Sequence, residues 1–295
     1  MTLRVGLIGY GVAGAVFHAP LITATPGLTL ASVVTSRPVP AGVRALERPE
    51  QLWEDHDLVV IASPNRTHVP LAREAIEAGV PVVVDKPFAP TAAEARELTM
   101  LAASRGVPLT VFQNRRWDGD FLTVKSLLND GALGRVNRFE SHFDRWRPVP
   151  KTGWRELPAP EEAGGVLFDL GAHLIDQALQ LFGPVDSVYS EVRKLRPGVQ
   201  VDDDFFVALT HESGVVSHLV SSTLAAQPGP RFRLLSSESA YTKYGLDVQE
   251  EALKAGERPG TAGWGEEPES NWGTLGVAGE NTTKVATKPG CYQYF

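Results

Sequence analysis

Over the first 115 or so residues, short β-branched runs alternate with Ala-rich stretches of helical period, and this alternation constrains the fold more than any other feature. Strand-like runs fall at "LRVGLIG", "LTLASVV", "LVVIAS", "PVVVDK" and "LTVFQ", with helical patterns near 12–24, 67–78 and 91–105. Strands joined through helices return to one sheet in parallel, so the pattern predicts βαβ units around a parallel sheet. The third helix carries its own punctuation. Thr91 stands three residues before Glu94 as a capping box, and Gly106 follows as a stop.

Beyond a helix-like "DFLTVKSLLNDG" the period changes from helical to alternating, in "VNRFESHFDRW", "DSVYSEVRKL", "DFFVALTHE", "VVSHLVSSTL" and "RFRLLSSE". Such runs imply a mostly antiparallel sheet, and "GGVLFDLGAHLIDQALQLFG" (164–183) is the main helical exception. Residues 255–281, rich in Gly, Pro and Glu, read as a long surface loop. A chain of 295 residues exceeds the usual size of a single core. The expected architecture is an α/β Rossmann nucleotide-binding domain over 1–117. An α+β C-terminal domain with a large, mostly antiparallel open sheet follows over 118–295. The closing "PGCYQYF" reads as the start of another element, so a C-terminal truncation is expected.

Charge and cysteine content exclude several functions. With 28 basic against 35 acidic residues the formal charge is −7, and no basic block marks a nucleic-acid binder. Cys291 is the single cysteine, so no internal disulfide forms and a reducing, cytoplasmic setting is expected. Apolar runs fall short of the roughly 18 to 20 residues a membrane span needs, and "MTLRVGLIGYG" enters a strand-like run at once, so no targeting segment is expected.

"GLIGYGVAG" puts Gly9, Gly11 and Gly14 in GxGxxG spacing between a strand and a helix. The three glycines serve a tight turn, close approach to a pyrophosphate and close helix packing, with Val12 and Ala13 at the helix mouth. The second strand ends in Thr35, Ser36 and Arg37, with no acidic residue to bond a ribose 2′-hydroxyl. A hydroxyl and a guanidinium suit a 2′-phosphate, so NADP is favoured over NAD; the bland alternative is that Arg37 is a solvated surface charge.

Two further motifs follow the fingerprint, "ASPNRTH" (Ser63, Pro64, Asn65, His68) and "VVVDKPFA" (Asp85, Lys86). With Asp169 and His173 four apart after a double glycine, they resemble the glucose-fructose oxidoreductase / inositol dehydrogenase (Gfo/Idh/MocA) family. "NRRWDGDFLTVKSLL" and "YTKYGLDVQEEALKAGERP" are similar to its NADP-dependent scyllo-inositol dehydrogenase-like branch. The chain departs in having Asp85 where the family usually has Glu, and in stopping before a final strand and helix that the family usually carries.

The resemblance implies hydride transfer between nicotinamide and a secondary alcohol carbon. His173, with an ordinary pKa of about 6.5, is suited to moving the hydroxyl proton. Asp169, one turn earlier, is suited to orienting the imidazole or binding substrate, and Lys86 to hydrogen-bonding the substrate oxygen, its own pKa lowered by desolvation. The double glycine is expected to let backbone and cofactor approach. The bland alternative for the Asp/His pair is a helix-stabilising contact. A metal site on Asp169, His173 and Asp176 lacks a second His/Cys cluster, so no metal is expected.

Asn114, Arg115, Arg116 and Trp117 follow the fifth strand and either line a polyol pocket or brace the domain junction. Tyr244, His142, Asp144 and Arg147 lie on or near sheet segments whose facing is open. The expected substrate is a neutral polyol or sugar, cyclitol favoured, with the sheet covering the cleft on one face. Its other face, rich in Val, Phe and Leu, is expected to build homodimers or homotetramers. Rival readings are an aldose dehydrogenase, an NAD-dependent glycosidase of the same family, and a non-catalytic NAD(P)-binding sensor.

Overall fold

The computed structural model describes residues 2–295. Each β-branched run of the first segment becomes a strand, and one further strand, β3, joins them: β1 (Leu3–Ile8), β2 (Leu28–Val34), β3 (Arg44–Leu46), β4 (Leu58–Ile61), β5 (Val82–Asp85) and β6 (Leu109–Phe112). They form one parallel sheet in the order β3-β2-β1-β4-β5-β6, the doubly wound arrangement. β3 has no counterpart in the sequence reading, because three residues on a sheet edge carry too little alternation to register.

Three helical segments cross between these strands: α1 (Ala19–Ala24), α2 (His68–Glu77) and α3 (Ala92–Arg105). Thr91 caps α3 by accepting from the Glu94 N–H at 3.2 Å, and Gly106 ends it at φ 63°. The stretch ahead of α1, Ala13–His18, is wound as a π-helix, so the predicted helix over 12–24 forms with a wider first half.

The second sheet contains β7 (Val136–His142), β8 (Val185–Arg193), β9 (Asp204–His211), β10 (Val216–Ser222), β11 (Phe232–Ser236), β12 (Ala240–Lys243), β13 (Gly273–Val277) and β14 (Asn281–Val285). Their order is β14-β13-β12-β11-β7-β10-β9-β8, antiparallel throughout except where β7 pairs with β10. β13 overturns part of the expected 255–281 loop. Its glycines hid it, yet a side chain at Gly273 would lie 2.3 Å from the Tyr241 ring, so only glycine lets this strand pair with β12.

Two helices, α4 (Gly119–Asn129) and α5 (Ala172–Phe182), lie on the inner face. There Phe121 and Val124, then Leu174 and Ala178, bury themselves against Phe139, Phe205 and Phe232. Each such large apolar side chain contributes about 1.5 to 3 kcal/mol. The inner face is thus filled by helices, and the sheet reaches the cleft through the ends of β7 and β10 rather than broadside. The outer face is less apolar than expected: Tyr189, Phe206 and His218 share it with the Glu140–Arg233 ion pair.

The chain finally returns to the first domain. A short helix, α6 (Gln249–Lys254), supplies Leu253, which with Trp264 and Tyr292 joins the core built on Val5, Leu7 and Phe112. Phe295 sets its ring edge-on to Phe112 and Trp117. Among the described residues no helix is long and apolar enough to cross a membrane.

Candidate active site

Parallel strands deliver their C-terminal ends to one edge of the sheet, and here β1, β4 and β5 release Gly9, Ser63 and Lys86 there. The break in strand order between β1 and β4 opens a crevice on that edge. It widens into a cavity of about 660 Å³ shared by both domains.

Gly9, Gly11, Val12 and Ala13 line one end of it. The turn is tight: a Cβ on Gly14 would lie 2.1 Å from the Gly9 carbonyl oxygen. At Gly11 the corresponding position meets no protein atom within 4 Å, so a pyrophosphate can lie against the bare backbone. The helix behind it has no side-chain cap, leaving its first N–H groups to an anion. These residues fit a dinucleotide. Arg37 also lines the cavity, its guanidinium 3.3 Å from the Tyr10 carbonyl, whereas Ser36 is exposed and outside the lining.

Ser63, Pro64, Asn65 and His68 form the neighbouring wall. Asn65 donates to the Glu162 and Ala163 carbonyls at 3.0 and 3.3 Å, tying the wall to the second domain. His68 sits between the Pro87 and Ser63 carbonyls, at 2.9 and 3.0 Å, and fixes the Lys86–Pro87 segment. The Asp85 carboxylate accepts the Lys86 N–H at 2.8 Å and faces His18 at 3.9 Å. Burial pushes its pKa up, but His18 and Lys86 outweigh that and hold it below the usual range.

Lys86 and Asp169, on different domains, meet across the cavity. The ammonium donates to Asp169 Oδ1 at 2.8 Å and to its carbonyl at 2.5 Å, with Arg155 3.4 Å from the same carboxylate oxygen. Burial works against the Asp169 charge, and the two cations overcome it, keeping this carboxylate ionised far below its ordinary pKa.

Asp169 stands in a π-helical turn, Leu167–Gly171, that leads into α5. Asp202 holds the start of this turn by accepting the Leu167 N–H at 2.7 Å. Gly165 has φ 93°, and a Cβ there would lie 2.0 Å from Asp202 Oδ1. The second glycine of the pair therefore makes room for Asp202, and it also lines the cavity.

His173 is buried at 5 % exposure, outside the cavity lining, and its Nδ1 has no hydrogen-bond partner among the described residues. Burial first, then the charges of Lys86 and Arg115, push its pKa well below 6.5. The imidazole is therefore neutral at pH 7, with one ring nitrogen protonated and the other free to accept.

The structure does not bring the weaker candidates into the cavity. Asn114 is buried outside the lining, and Tyr244 is 60 % exposed. Arg116 grips Asp176 with Nε and Nη2 at 2.8 and 2.6 Å. Trp117 packs on Phe295, and Arg115 pairs with Asp118 and Glu250. This motif braces the domain junction. Of the sheet candidates, Arg147 lines the cavity, while Asp144 accepts from Ser222 and Gly229 N–H groups beside His142.

Sequence reading missed Arg145, Lys151, Trp154, Arg155 and Arg196 on the wall. Arg145 and Arg147, two apart in "DRWRP", were legible as a same-side pair on a strand extension. Trp154 and Arg155 lie in a single 3₁₀ turn, Trp154–Glu156, and Lys151 and Arg196 in loops, none of them with a period to read.

Comparison with known proteins agrees with the two-sheet fold. The model of an oxidoreductase family with an NAD-binding Rossmann fold matches residues 3–113, and that of a GFO/IDH/MocA C-terminal domain matches 121–242. The uncharacterized oxidoreductase YdgJ of Escherichia coli is 48 % identical over 271 residues, 89 % of this chain and 77 % of its own. The scyllo-inositol 2-dehydrogenase (NADP(+)) IolW of Bacillus subtilis is 34 % identical over 295 residues, 98 % of this chain and 82 % of its own. A solved oxidoreductase from Bacillus cereus superimposes with a TM-score of 0.88 at 31 % identity, covering 100 % of this chain and 87 % of the other.

Proposed function

Because this chain belongs to the GFO/IDH/MocA family of oxidoreductases acting on CH–OH groups, we propose that it moves hydride between NADP and a secondary alcohol carbon of a cyclitol or related sugar. The observation that carries this reading is the Lys86–Asp169 contact, which puts an ammonium and a carboxylate from opposite walls beside the glycine turn. When bound, the nicotinamide supplies the hydride acceptor. Lys86 donates to the substrate oxygen and stabilises charge as its proton leaves. Asp169, permanently ionised, aims Lys86 and accepts from a neighbouring hydroxyl. His173, held neutral behind them, takes the proton.

The test is reduced-nicotinamide absorbance with a panel of inositols and sugars, offered NADP or NAD. Reduction by a cyclitol is expected. Tight cofactor binding without reduction by any alcohol would instead support the sensor reading.

NADP preference rests on Arg37 and the absence of an acidic residue at the end of β2. Hydrogen bonds to a charged group are worth about 1.5 to 3 kcal/mol, so Arg37→Ala is expected to lower the NADP-to-NAD ratio of kcat/KM by about 10- to 100-fold. An unchanged ratio would remove Arg37 from phosphate recognition.

Self-association is proposed through the outer face of the second sheet, where Tyr189 is 59 % exposed beside Phe206. Light scattering on the purified chain is expected to give a dimer or tetramer, shifted toward monomer by Tyr189→Asp. A wild-type monomer at micromolar concentration defeats this.

A further inference from the structure

We propose that Arg145, Arg147 and Thr223 form an oxyanion subsite in the substrate half of the cavity, so that the preferred substrate is a polyol or sugar carrying a carboxylate or phosphate. This deepens the oxidoreductase reading and rests on it. Sequence alone points to a neutral polyol; the charges on the wall point elsewhere.

The cations of the cavity divide into two groups. Lys86 and Arg155 are committed to Asp169, and Arg196 to Asp203 and Glu156. Arg145 and Arg147 have no carboxylate partner among the described residues, although both line the cavity; the same holds of Arg37, at the nucleotide end, and of Lys151, which is solvent-exposed. The Glu250 charge acts on Arg145, but that carboxylate is already held by Arg115 and Lys254. Arg145 lies with its guanidinium 5.0 Å from the centroid of the Phe143 ring, and its Nε is buried without an acceptor. Thr223 Oγ1, on the same wall, is likewise buried and unpartnered.

The placement is rigid rather than incidental. Beyond the end of β7 the backbone continues alongside β10: Arg145 N–H donates to the Ser222 carbonyl at 2.9 Å and Arg147 N–H to the Thr223 carbonyl at 2.7 Å. Two residues apart on an extended segment, the arginines project to the same side. The intervening Trp146 is 58 % exposed. Two guanidinium groups held side by side repel one another, and burial adds to the cost of the Arg145 charge. An oxyanion relieves both, through the forked geometry that arginine offers to carboxylate and phosphate. The subsite shares one cavity with Lys86 and Asp169. The phosphates of a dinucleotide are already provided for by the glycine turn and Arg37.

The test compares kcat/KM for D-glucuronate, D-glucose 6-phosphate, D-glucose and myo-inositol, in wild type, Arg145→Gln and Arg147→Gln. Calorimetry runs in parallel on the complex with NADPH, and separately on NADPH binding alone. One anion should be preferred over its neutral counterpart by more than about tenfold, the preference shrinking with salt and falling to within about threefold in each variant. The glucuronate and phosphate arms tell which oxyanion is meant. Turnover of myo-inositol without any anion preference overturns the subsite and leaves the proposed function standing. If no polyol is oxidised, the proposed function falls, and calorimetry still decides. Anion binding that matches glucose, or variants that weaken NADPH alone, overturns the subsite.

Discussion

Lys86→Met is expected to lower kcat/KM for alcohol oxidation by about 10³-fold while NADPH still binds. Methionine keeps the length and apolar stem of lysine but removes the Nζ donors. Those donors now reach Asp169 from the opposite wall at 2.8 Å. General acid–base and electrostatic contributions of this kind are each worth about 10² to 10⁴ in rate. The glycine turn and its helix lie on the β1 side of the crevice and do not depend on Lys86, so nicotinamide fluorescence should report a bound cofactor. Lys86→Arg should not restore activity, because a planar fork cannot replace a compact ammonium at this reach. Activity within about threefold of wild type in Lys86→Met would remove this residue from the chemistry.

Much of this site was legible because its residues sit where regular elements end. Gly9, Ser63 and Lys86 each follow a β-branched run, and a parallel sheet necessarily collects such positions on one edge. Family membership, both sheets and the α5 helix follow from the same periodicities and motifs. What stayed hidden had no period to read. β13 was masked by its glycines, of which Gly273 makes room for the Tyr241 ring, and Arg155 and Arg196 reach the cavity from a single 3₁₀ turn and a loop. Asn114, Arg116 and Trp117 follow a strand end too, yet they face the junction, where Arg116 finds Asp176. Position along the chain located that segment, whereas only tertiary contacts settled what it does. The pKa of His173 belongs to the same class, since its depression comes from burial and from Lys86 and Arg115, both distant in sequence.

That depression carries the second prediction. His173 is expected to resist protonation when folded but to bind a proton near pH 6.5 when unfolded. Its contribution to stability is therefore complete above about pH 6.5 and is lost as pH falls from there toward the folded value, because only the unfolded chain gains the proton. Asp169 has the same sign in a lower window. Its stabilisation is present above the unfolded pKa of about 3.9 and disappears only in stronger acid, so the two do not overlap near pH 6. His56 and His218 are also depressed by burial and act in the upper window, so the contribution of His173 is read by difference. The thermal midpoint of wild type should fall between pH 7 and pH 5, a window that contains the unfolded histidine pKa of about 6.5, and that of His173→Asn should fall less steeply. In the same variant kcat for alcohol oxidation should drop by about 10²- to 10³-fold, because the amide cannot hold the hydroxyl proton. The two readouts separate the roles. A flattened stability profile with kcat intact would make His173 a buried structural imidazole and pass the proton to the Lys86–Asp169 pair. Loss of kcat at every pH, with Asp169 still ionised, places the acceptor on His173 Nδ1 or Nε2.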